Sequence, residues 1–141
     1  MSMAKILLID DEASFLEVLS KRLETRNLTI ATALSGEAGL KILAKDHAVD
    51  VVILDVKMPG LDGIETLQLI KKNFPLVEVV MLTGHATVET AIEGMKLGAF
   101  DYLMKPCDID LLAQKVQEAT EKKITHEEKI VQAQMKEITC R

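Results

Sequence analysis

Five short runs of almost continuous apolar residues alternate along the chain with segments in which apolar residues recur at helical spacing. The runs occupy residues 4–9, 28–33, 51–54, 77–82 and 100–104. Runs of this kind are typical of parallel strands that helices cover on both faces. We therefore predict an α/β fold in which five strands alternate with five helices and form a doubly wound parallel sheet.

The size of the chain favours one strand order. A single doubly wound domain of this length most often has the flavodoxin-like order 2-1-3-4-5, and its ligands bind at the carboxyl ends of the strands. Helical spacing is clearest over residues 88–95. The weakest predicted helix covers residues 35–45, because Gly36 and Gly39 lower its helix propensity.

The last part of the chain differs in composition from the rest. Residues 122–141 contain no glycine or proline, and their few apolar residues include Ile124, Val131 and Ile138, which are spaced by seven. We predict one globular domain over residues 1–121 and a helical extension of the fifth helix over residues 122–141. Too few heptads are present to decide between two interpretations of this extension, a dimerisation helix and a solvated linker helix.

Composition excludes several classes of protein. Hydrophobic residues make up 48% of the chain and charged residues 28%, which is ordinary for a globular protein and argues against disorder. The net charge of −5 argues against a large nucleic-acid-binding surface. No apolar run approaches the roughly 20 residues of a membrane span. Two cysteines and a start without signal-peptide features predict a cytoplasmic protein.

Polar residues directly follow four of the five predicted strands. Asp10 and Asp11 follow the first strand, Asp55 the third, Thr83 the fourth and Lys105 the fifth. Because the first and third strands are neighbours in the predicted order, three carboxylates converge at one edge of the sheet beside a hydroxyl and an ammonium group. Two like charges ~4 Å apart repel by about 4 kcal/mol at an effective dielectric of ~20, so the cluster favours a bound cation or a protonated acid.

The oxygen ligands of this cluster suit Mg²⁺, and a carboxylate beside Mg²⁺ and a lysine is suited to phosphoryl transfer. Each residue also has an ordinary structural interpretation. Asp10 or Asp11 could cap a helix, Asp55 and Thr83 could stabilise turns, and Lys105 could be a solvated loop residue. The convergence of all five on one sheet edge favours the functional interpretation.

Four stretches of sequence carry a resemblance to a known family. They are ILLIDDE at 6–12, VILDVKMPGLDG at 52–63, MLTGH at 81–85 and GAFDYLMKP at 98–106. On these motifs the chain, from about residue 5 to 119, resembles the receiver domain of bacterial two-component response regulators. Residues 82–106 look closest to receivers of transcription activators that carry an ATPase domain. Since nothing after Arg141 could form such a domain, we expect either a stand-alone receiver or a fragment of a longer regulator.

The resemblance implies a role for each residue of the cluster. Asp55 is similar to the phosphoacceptor, which takes a phosphoryl group from a phosphohistidine on a sensor histidine kinase or a histidine phosphotransfer protein. Asp10, Asp11 and Asp55 resemble the Mg²⁺ ligands of the family, together with the backbone carbonyl of Lys57. Lys105 would pair with the phosphoryl oxygens.

The resemblance also implies a conformational switch. Thr83 would form a hydrogen bond with the phosphoryl group, and Tyr102 is similar to the aromatic residue that turns inward as Thr83 moves. The peptide bond between Lys105 and Pro106 would be cis. The surface that changes would comprise helix four, strand five and helix five, at about residues 87–97, 100–104 and 108–118.

Chemistry of this kind is self-directed, so we expect a signalling phosphoacceptor and not a turnover enzyme. An aspartyl phosphatase would need a second aspartate where this chain has Lys57, and a flavin-binding protein would need aromatic loops, for which Tyr102 and three phenylalanines are thin support. The alternative that stays open is a degenerate receiver that only docks a partner. We expect no nucleic-acid or membrane partner, and a homodimer through the extension also stays open.

Overall fold

The computed structural model describes residues 4–56, 62–84 and 87–139, in which five parallel strands alternate with five helices. The strands are β1 (Lys5–Ile9), β2 (Thr29–Ala33), β3 (Val51–Leu54), β4 (Glu78–Thr83) and β5 (Asp101–Met104). The helices are α1 (Ala13–Glu24), α2 (Gly36–Lys45), α3 (Gly63–Asn73), α4 (Val88–Lys96) and α5 (Ile109–Thr139). The strands form one sheet in the order β2-β1-β3-β4-β5. This order confirms the predicted doubly wound α/β fold.

Successive side chains of the central strands point to opposite faces of the sheet, and each face has its own apolar cluster. The face that packs against α1 and α5 includes Ile6, Leu8, Leu16, Leu23 and Val116. The face that packs against α2 and α3 includes Leu7, Ile9, Leu43, Leu67 and Ile70. Strands β3 and β4 are buried along their whole length, whereas the edge strands β2 and β5 are partly exposed. Apolar runs therefore identify the central strands most clearly.

Helix α2 forms in spite of the two glycines that made it the weakest prediction. Its first turn is capped by Ser35, whose Oγ accepts a hydrogen bond from the Ala38 N–H at 3.1 Å. A Cβ on Gly39 would lie only 2.3 Å from Cδ1 of Ile9. Glycine at this position thus allows α2 to approach β1 closely, and tertiary packing offsets the low propensity.

Helix α5 continues without a break over its 31 residues, so helical structure extends past residue 121 as predicted. At ~1.5 Å per residue this helix is about 46 Å long. Two ion pairs hold it where it leaves the sheet. Nζ of the buried Lys123 lies 3.0 Å from Oδ1 of Asp50, and Nζ of Lys122 lies 3.7 Å from Oε2 of the buried Glu78. None of the helices in the described ranges combines the length and apolar character needed to cross a lipid bilayer.

Gly63, the first residue of α3, allows this helix to lie against the chain that follows β3. A Cβ there would lie 2.1 Å from the backbone oxygen of Asp55 and 2.4 Å from Cα of Val56. These are backbone atoms, so no side-chain rotation can relieve the clash. We predict that Gly63→Ala lowers the free energy of unfolding by about 2 kcal/mol, within the ~1–3 kcal/mol typical of overpacking, as measured by urea denaturation.

The matched control is Gly94→Ala in α4. Among the described residues, the atoms within 4 Å of its Cβ would be side-chain atoms of Tyr102 and Met81, at 3.7 Å and 3.9 Å, which are ordinary contacts. Since alanine is also favoured over glycine inside a helix by about 0.5–1 kcal/mol, this variant should be at least as stable as the parent. Equal losses in the two variants would contradict the close approach of α3 to the Asp55 segment.

Candidate functional site

The sheet fixes the backbone of the predicted site residues. Asp10, Asp55 and Lys105 directly follow β1, β3 and β5, while Thr83 is the last residue of β4 and not the residue after it. Their N–H groups continue the parallel hydrogen-bond pattern, since Asp55 donates to the carbonyl of Ile9 at 3.0 Å and Lys105 donates to that of Thr83 at 2.9 Å. The side chains therefore start from adjacent, hydrogen-bonded positions at the carboxyl edge of the sheet.

Three carboxylates meet at this edge. One oxygen from each of Asp10, Asp11 and Asp55 lies within 4.8 Å of the other two. Asp10 and Asp55 are buried, with 3% and 4% of their surface exposed, and Asp11 is exposed. A group of hard oxygen ligands that is open to water on one side fits Mg²⁺, which uses one or two carboxylates and keeps several waters.

Asp55 carries a buried oxygen that needs a partner. Its Oδ1 has no hydrogen-bond donor among the residues that the structure describes. Its Oδ2 lies 3.9 Å from Nζ of Lys105, beyond hydrogen-bond distance. A buried acceptor without a donor costs about 1–3 kcal/mol, so a bound cation or a new covalent bond at this carboxylate is favoured.

Lys105 lies among these acids and pairs most closely with Asp10. Its Nζ donates a hydrogen bond to Oδ2 of Asp10 at 2.6 Å. Burial raises the pKa of the Asp10 carboxyl above its ordinary value of 3.8, and the hydrogen bonds from Lys105 and from the Glu12 N–H oppose this rise. The negative charge of Asp55 also raises the pKa of Asp10. The three acids thus carry more negative charge than Lys105 neutralises, which favours a divalent cation. The peptide bond between Lys105 and Pro106 is cis, as the resemblance implied.

The capping interpretation of Asp10 is wrong, because the N-cap residue of α1 is Glu12. Oδ1 of Asp10 accepts a hydrogen bond from the N–H of Glu12 at 2.9 Å. Glu12 is the residue that precedes α1, and its own side chain makes no capping hydrogen bond. One oxygen of Asp10 therefore stabilises the turn into α1, while the other pairs with Lys105.

Thr83 and Tyr102 lie on strands β4 and β5 near the same edge. Thr83 is fully buried. Oη of Tyr102 lies 2.9 Å from Oγ1 of Thr90, and the ring packs against the apolar cluster on the α2–α3 face. Thr90 also forms a capping box with Thr87 at the start of α4. The sequence analysis missed Thr90, because the usual capping box has Glu or Gln at the third helical position and this chain has threonine there.

Two further residues that sequence reasoning did not assign to the site contact Lys105. Oε1 of Glu12 lies 3.8 Å from Nζ, and the centroid of the Phe15 ring lies 4.0 Å from it. Phe15 is the third residue of α1. Lys57, the expected source of a metal-binding carbonyl, lies outside the described residues.

Comparison with known proteins gives a consistent result. The model of the response regulator receiver domain matches residues 6–117. The chain belongs to the response regulator receiver family. This confirms the resemblance drawn from the four motifs and makes the chain a signalling module of two-component systems.

Curated relatives match over most of this chain. A putative response regulator NtrX-like of Rickettsia felis is 37% identical over 123 residues, which are 86% of this chain and 26% of that protein. The transcriptional regulatory protein ZraR of Salmonella typhimurium is 39% identical over 121 residues, again 86% of this chain and 26% of the relative. This receiver therefore spans about a quarter of the length of these relatives. The expected likeness to receivers of transcriptional regulators is confirmed.

Solved structures share the fold. A response regulator receiver domain from Clostridium thermocellum is 41% identical, with a TM-score of 0.83 over 87% of this chain and 98% of that one. NtrX from Brucella abortus, solved in complex with ADP, is 32% identical, with a TM-score of 0.83 over 90% of this chain and 29% of that one. The receiver fold thus occurs both alone and as part of a longer protein.

Replacing Lys105 by methionine removes the cation that pairs with Asp10. Breaking a buried ion pair costs ~3–5 kcal/mol, and because the Lys105 side chain is 16% exposed we predict a loss of about 2–3 kcal/mol at pH 7 without divalent ions. Without the lysine, the pKa of Asp10 rises further above its unfolded value of 3.8. A group with a raised folded-state pKa stabilises the fold below its unfolded pKa, and this contribution is lost as the pH rises through the folded-state pKa.

The loss in Lys105→Met should therefore shrink as the pH is lowered from 7 toward about 4, as measured by urea denaturation at each pH. Lys21→Met is the control, because Lys21 pairs with Glu17 on the exposed face of α1, where both side chains are mostly solvated. The free energy of unfolding of Lys21→Met should remain close to that of the parent at every pH. A deficit in Lys105→Met that did not change with pH would contradict the pairing with Asp10.

Proposed function

We propose that this receiver accepts a phosphoryl group on Asp55 from a phosphohistidine of a sensor histidine kinase or a histidine phosphotransfer protein, in a Mg²⁺-dependent reaction. The observation that carries this proposal is the buried Oδ1 of Asp55, which has no hydrogen-bond donor in the described ranges and lies beside the carboxylates of Asp10 and Asp11. The ammonium group of Lys105, 3.9 Å from Oδ2 of Asp55, supplies a positive charge for the oxygens of the transferred phosphoryl group. Family membership makes the chain a receiver, and this cluster supports the specific chemistry.

In the proposed reaction, a carboxylate oxygen of Asp55 attacks phosphorus as the nucleophile. The P–N bond of the phosphohistidine breaks, and its electron pair stays on the imidazole nitrogen. Lys105 lies 3.9 Å from Oδ2 of Asp55, within reach of a phosphoryl oxygen after a small movement. Mg²⁺ held by Asp10, Asp11, Asp55 and the carbonyl of Lys57 would neutralise charge on the transferred group.

We propose that Thr83 and Tyr102 form the switch. A phosphoryl group adds about −1.5 to −2 charge and offers strong acceptor oxygens, so the Thr83 hydroxyl gains a new partner at the end of β4. The hydrogen bond between Tyr102 and Thr90 connects β5 to the first turn of α4. A movement of Thr83 would then change the surface formed by α4, β5 and α5, whose exposed apolar side chains include Val88, Ile92 and Met104.

The proposed reaction is self-directed, because the chain takes up one phosphoryl group and later loses it to water. We therefore propose a signalling phosphoacceptor and not a turnover enzyme. A cytoplasmic location is part of the proposal, since kinases that use ATP supply phosphohistidine there.

We also propose that the receiver domain ends near residue 121 and that residues 122–141 form an extension. Lys123 is the last buried residue of α5 in the described part of the chain. The exposed apolar residues Ile124, Val131 and Ile138 lie beyond it. Their exposure fits a homodimer contact and a linker helix equally well, so both interpretations stand.

Incubation with acetyl phosphate and Mg²⁺ should add one phosphoryl group to the chain, as measured by intact mass. Asp55→Asn removes the nucleophile and should abolish the gain. The matched control is Asp46→Asn, because Asp46 follows α2 and pairs with Lys5 at the amino end of β1, and this change should not affect the reaction. A gain that persists in Asp55→Asn, or no gain from either acetyl phosphate or a phosphorylated phosphotransfer protein, would rule out the proposal.

Mg²⁺ should stabilise the folded chain, because it relieves the repulsion among the three carboxylates. At a concentration one hundred times its Kd, a ligand specific to the folded state adds about 2.7 kcal/mol, which a thermal melt detects. Asp11→Asn should remove most of this gain and still fold, since Asp11 is exposed. Glu12→Gln, which changes the adjacent exposed acid outside the three-carboxylate group, should keep the response. The same Mg²⁺ response in the parent and in Asp11→Asn would contradict the assigned ligands.

A further inference from the structure

We infer that Phe15 is a positioning residue for Lys105, and that its ring holds the ammonium group at the carboxylate edge of the sheet. This inference rests on the proposed function of Lys105 in phosphoryl transfer. It adds an aromatic residue on α1 to a site whose other members follow or end strands. Neither the charge pattern nor the four family motifs assigns Phe15 to the chemistry.

The geometry places the ring directly beneath the ammonium group. Nζ of Lys105 lies 4.0 Å from the centroid of the Phe15 ring, inside the ~6 Å within which an ammonium is attracted to an aromatic face. Phe15 is half-buried and packs against the apolar cluster on the α1–α5 face. The ring is thus anchored in the core on one side and presents its face to the lysine.

The position of Phe15 separates the acids from an apolar groove. The residue lines a small cavity together with Asp10 and Asp55, and it also lines a groove of about 130 Å³ together with Lys105 and Pro106. A flexible lysine side chain could turn toward solvent along this groove. The attraction to the ring opposes that movement and keeps the ammonium group near Asp55.

The donors of the ammonium group show why its direction matters. A lysine ammonium has three N–H donors, and Asp10 accepts one of them at 2.6 Å. The centroid of the Phe15 ring lies 4.0 Å from the same Nζ. The carboxylates of Glu12 and Asp55, at 3.8 Å and 3.9 Å from Nζ, are further acceptors near the remaining N–H donors. Asp10 and Phe15 together therefore orient the lysine toward the carboxylate that the proposed reaction modifies.

The test measures the rate of phosphorylation by acetyl phosphate at saturating Mg²⁺ in variants of the full chain. Phe15→Leu keeps an apolar side chain but removes the aromatic face, and we expect a rate about threefold to thirtyfold lower, which is the range of one cation–π contact. Phe15→Tyr keeps the face and should retain most of the rate. Phe74→Leu is the matched control, because Phe74 is equally half-buried but packs on the opposite face of the sheet.

A merely structural role is excluded by combining Phe15→Leu with Lys105→Met. If the ring acts through the lysine, Phe15→Leu causes no further loss of rate once Lys105 is methionine. Nuclear magnetic resonance gives a second readout. Protons of the Lys105 ε-methylene group over the ring should resonate upfield of those of other lysines in the parent, and return to the ordinary position in Phe15→Leu.

The outcomes separate this inference from the proposed function. A slow Lys105→Met variant with Phe15→Leu at the parental rate overturns the role of Phe15 alone. Equal slowing by Phe15→Leu and Phe15→Tyr, or a further loss in the double variant, also overturns it. A parental rate in Lys105→Met overturns the role of Lys105, and with it the inference. The inference is supported if Phe15→Leu slows phosphorylation while Phe15→Tyr does not, and if the ε-methylene protons of Lys105 return to their ordinary position in Phe15→Leu.

Discussion

The parallel pairing of β1 with β3 is the constraint on which the site depends. In this pairing Ile9 lies opposite Leu54, so the next residues, Asp10 and Asp55, leave the sheet side by side. A slip of one residue would turn one of the two side chains to the other face. Both strands are buried, so the apolar core that fixes the register also places two carboxylates in a poorly hydrated position. The fold thereby creates a charge cluster that its own packing does not neutralise.

The two ends of the sheet differ in the number of lysines that lie beside their buried acids. At the amino end, Glu78 is almost fully buried, but Nζ of Lys71 and Nζ of Lys122 lie 3.8 Å and 3.7 Å from its oxygens. Burial lowers the pKa of Lys71, and the charge of Glu78 opposes that shift. Two lysines thus face one carboxylate at the amino end and link α3 and α5 to the sheet, although Oε1 of Glu78, like Oδ1 of Asp55, has no hydrogen-bond donor among the described residues. At the carboxyl end, one lysine, Lys105, faces three carboxylates, which leaves an excess of negative charge that a cation can offset.

Sequence patterns predicted what depends on chain order and missed what depends on side-chain packing. The strand order, and with it the meeting of Asp10 with Asp55, follows from apolar runs and from the way parallel strands connect. The prediction for α2 underestimated the helix, because the close approach of Gly39 to Ile9 cannot be seen in local propensity. Phe15 and Thr90 were missed for a similar reason, because each is an ordinary residue of its own helix. Phe15 joins the site only through its contact with Lys105, and Thr90 only through its hydrogen bond with Tyr102.

Charge also explains why phosphorylation of such a cluster would act as a switch. Before the reaction, the three acids exceed the charge of Lys105 by an amount that one divalent cation offsets. Phosphorylation removes the charge of one carboxylate but adds about −1.5 to −2, so the site becomes more negative than that cation and Lys105 can balance. The phosphoryl oxygens would then need further hydrogen-bond donors. One donor at this edge of the sheet is the hydroxyl of Thr83, the last residue of β4. Tyr102 on the adjacent strand is hydrogen-bonded to Thr90 in the first turn of α4, so in the proposed switch a shift at the end of β4 would reach the surface formed by α4 and β5.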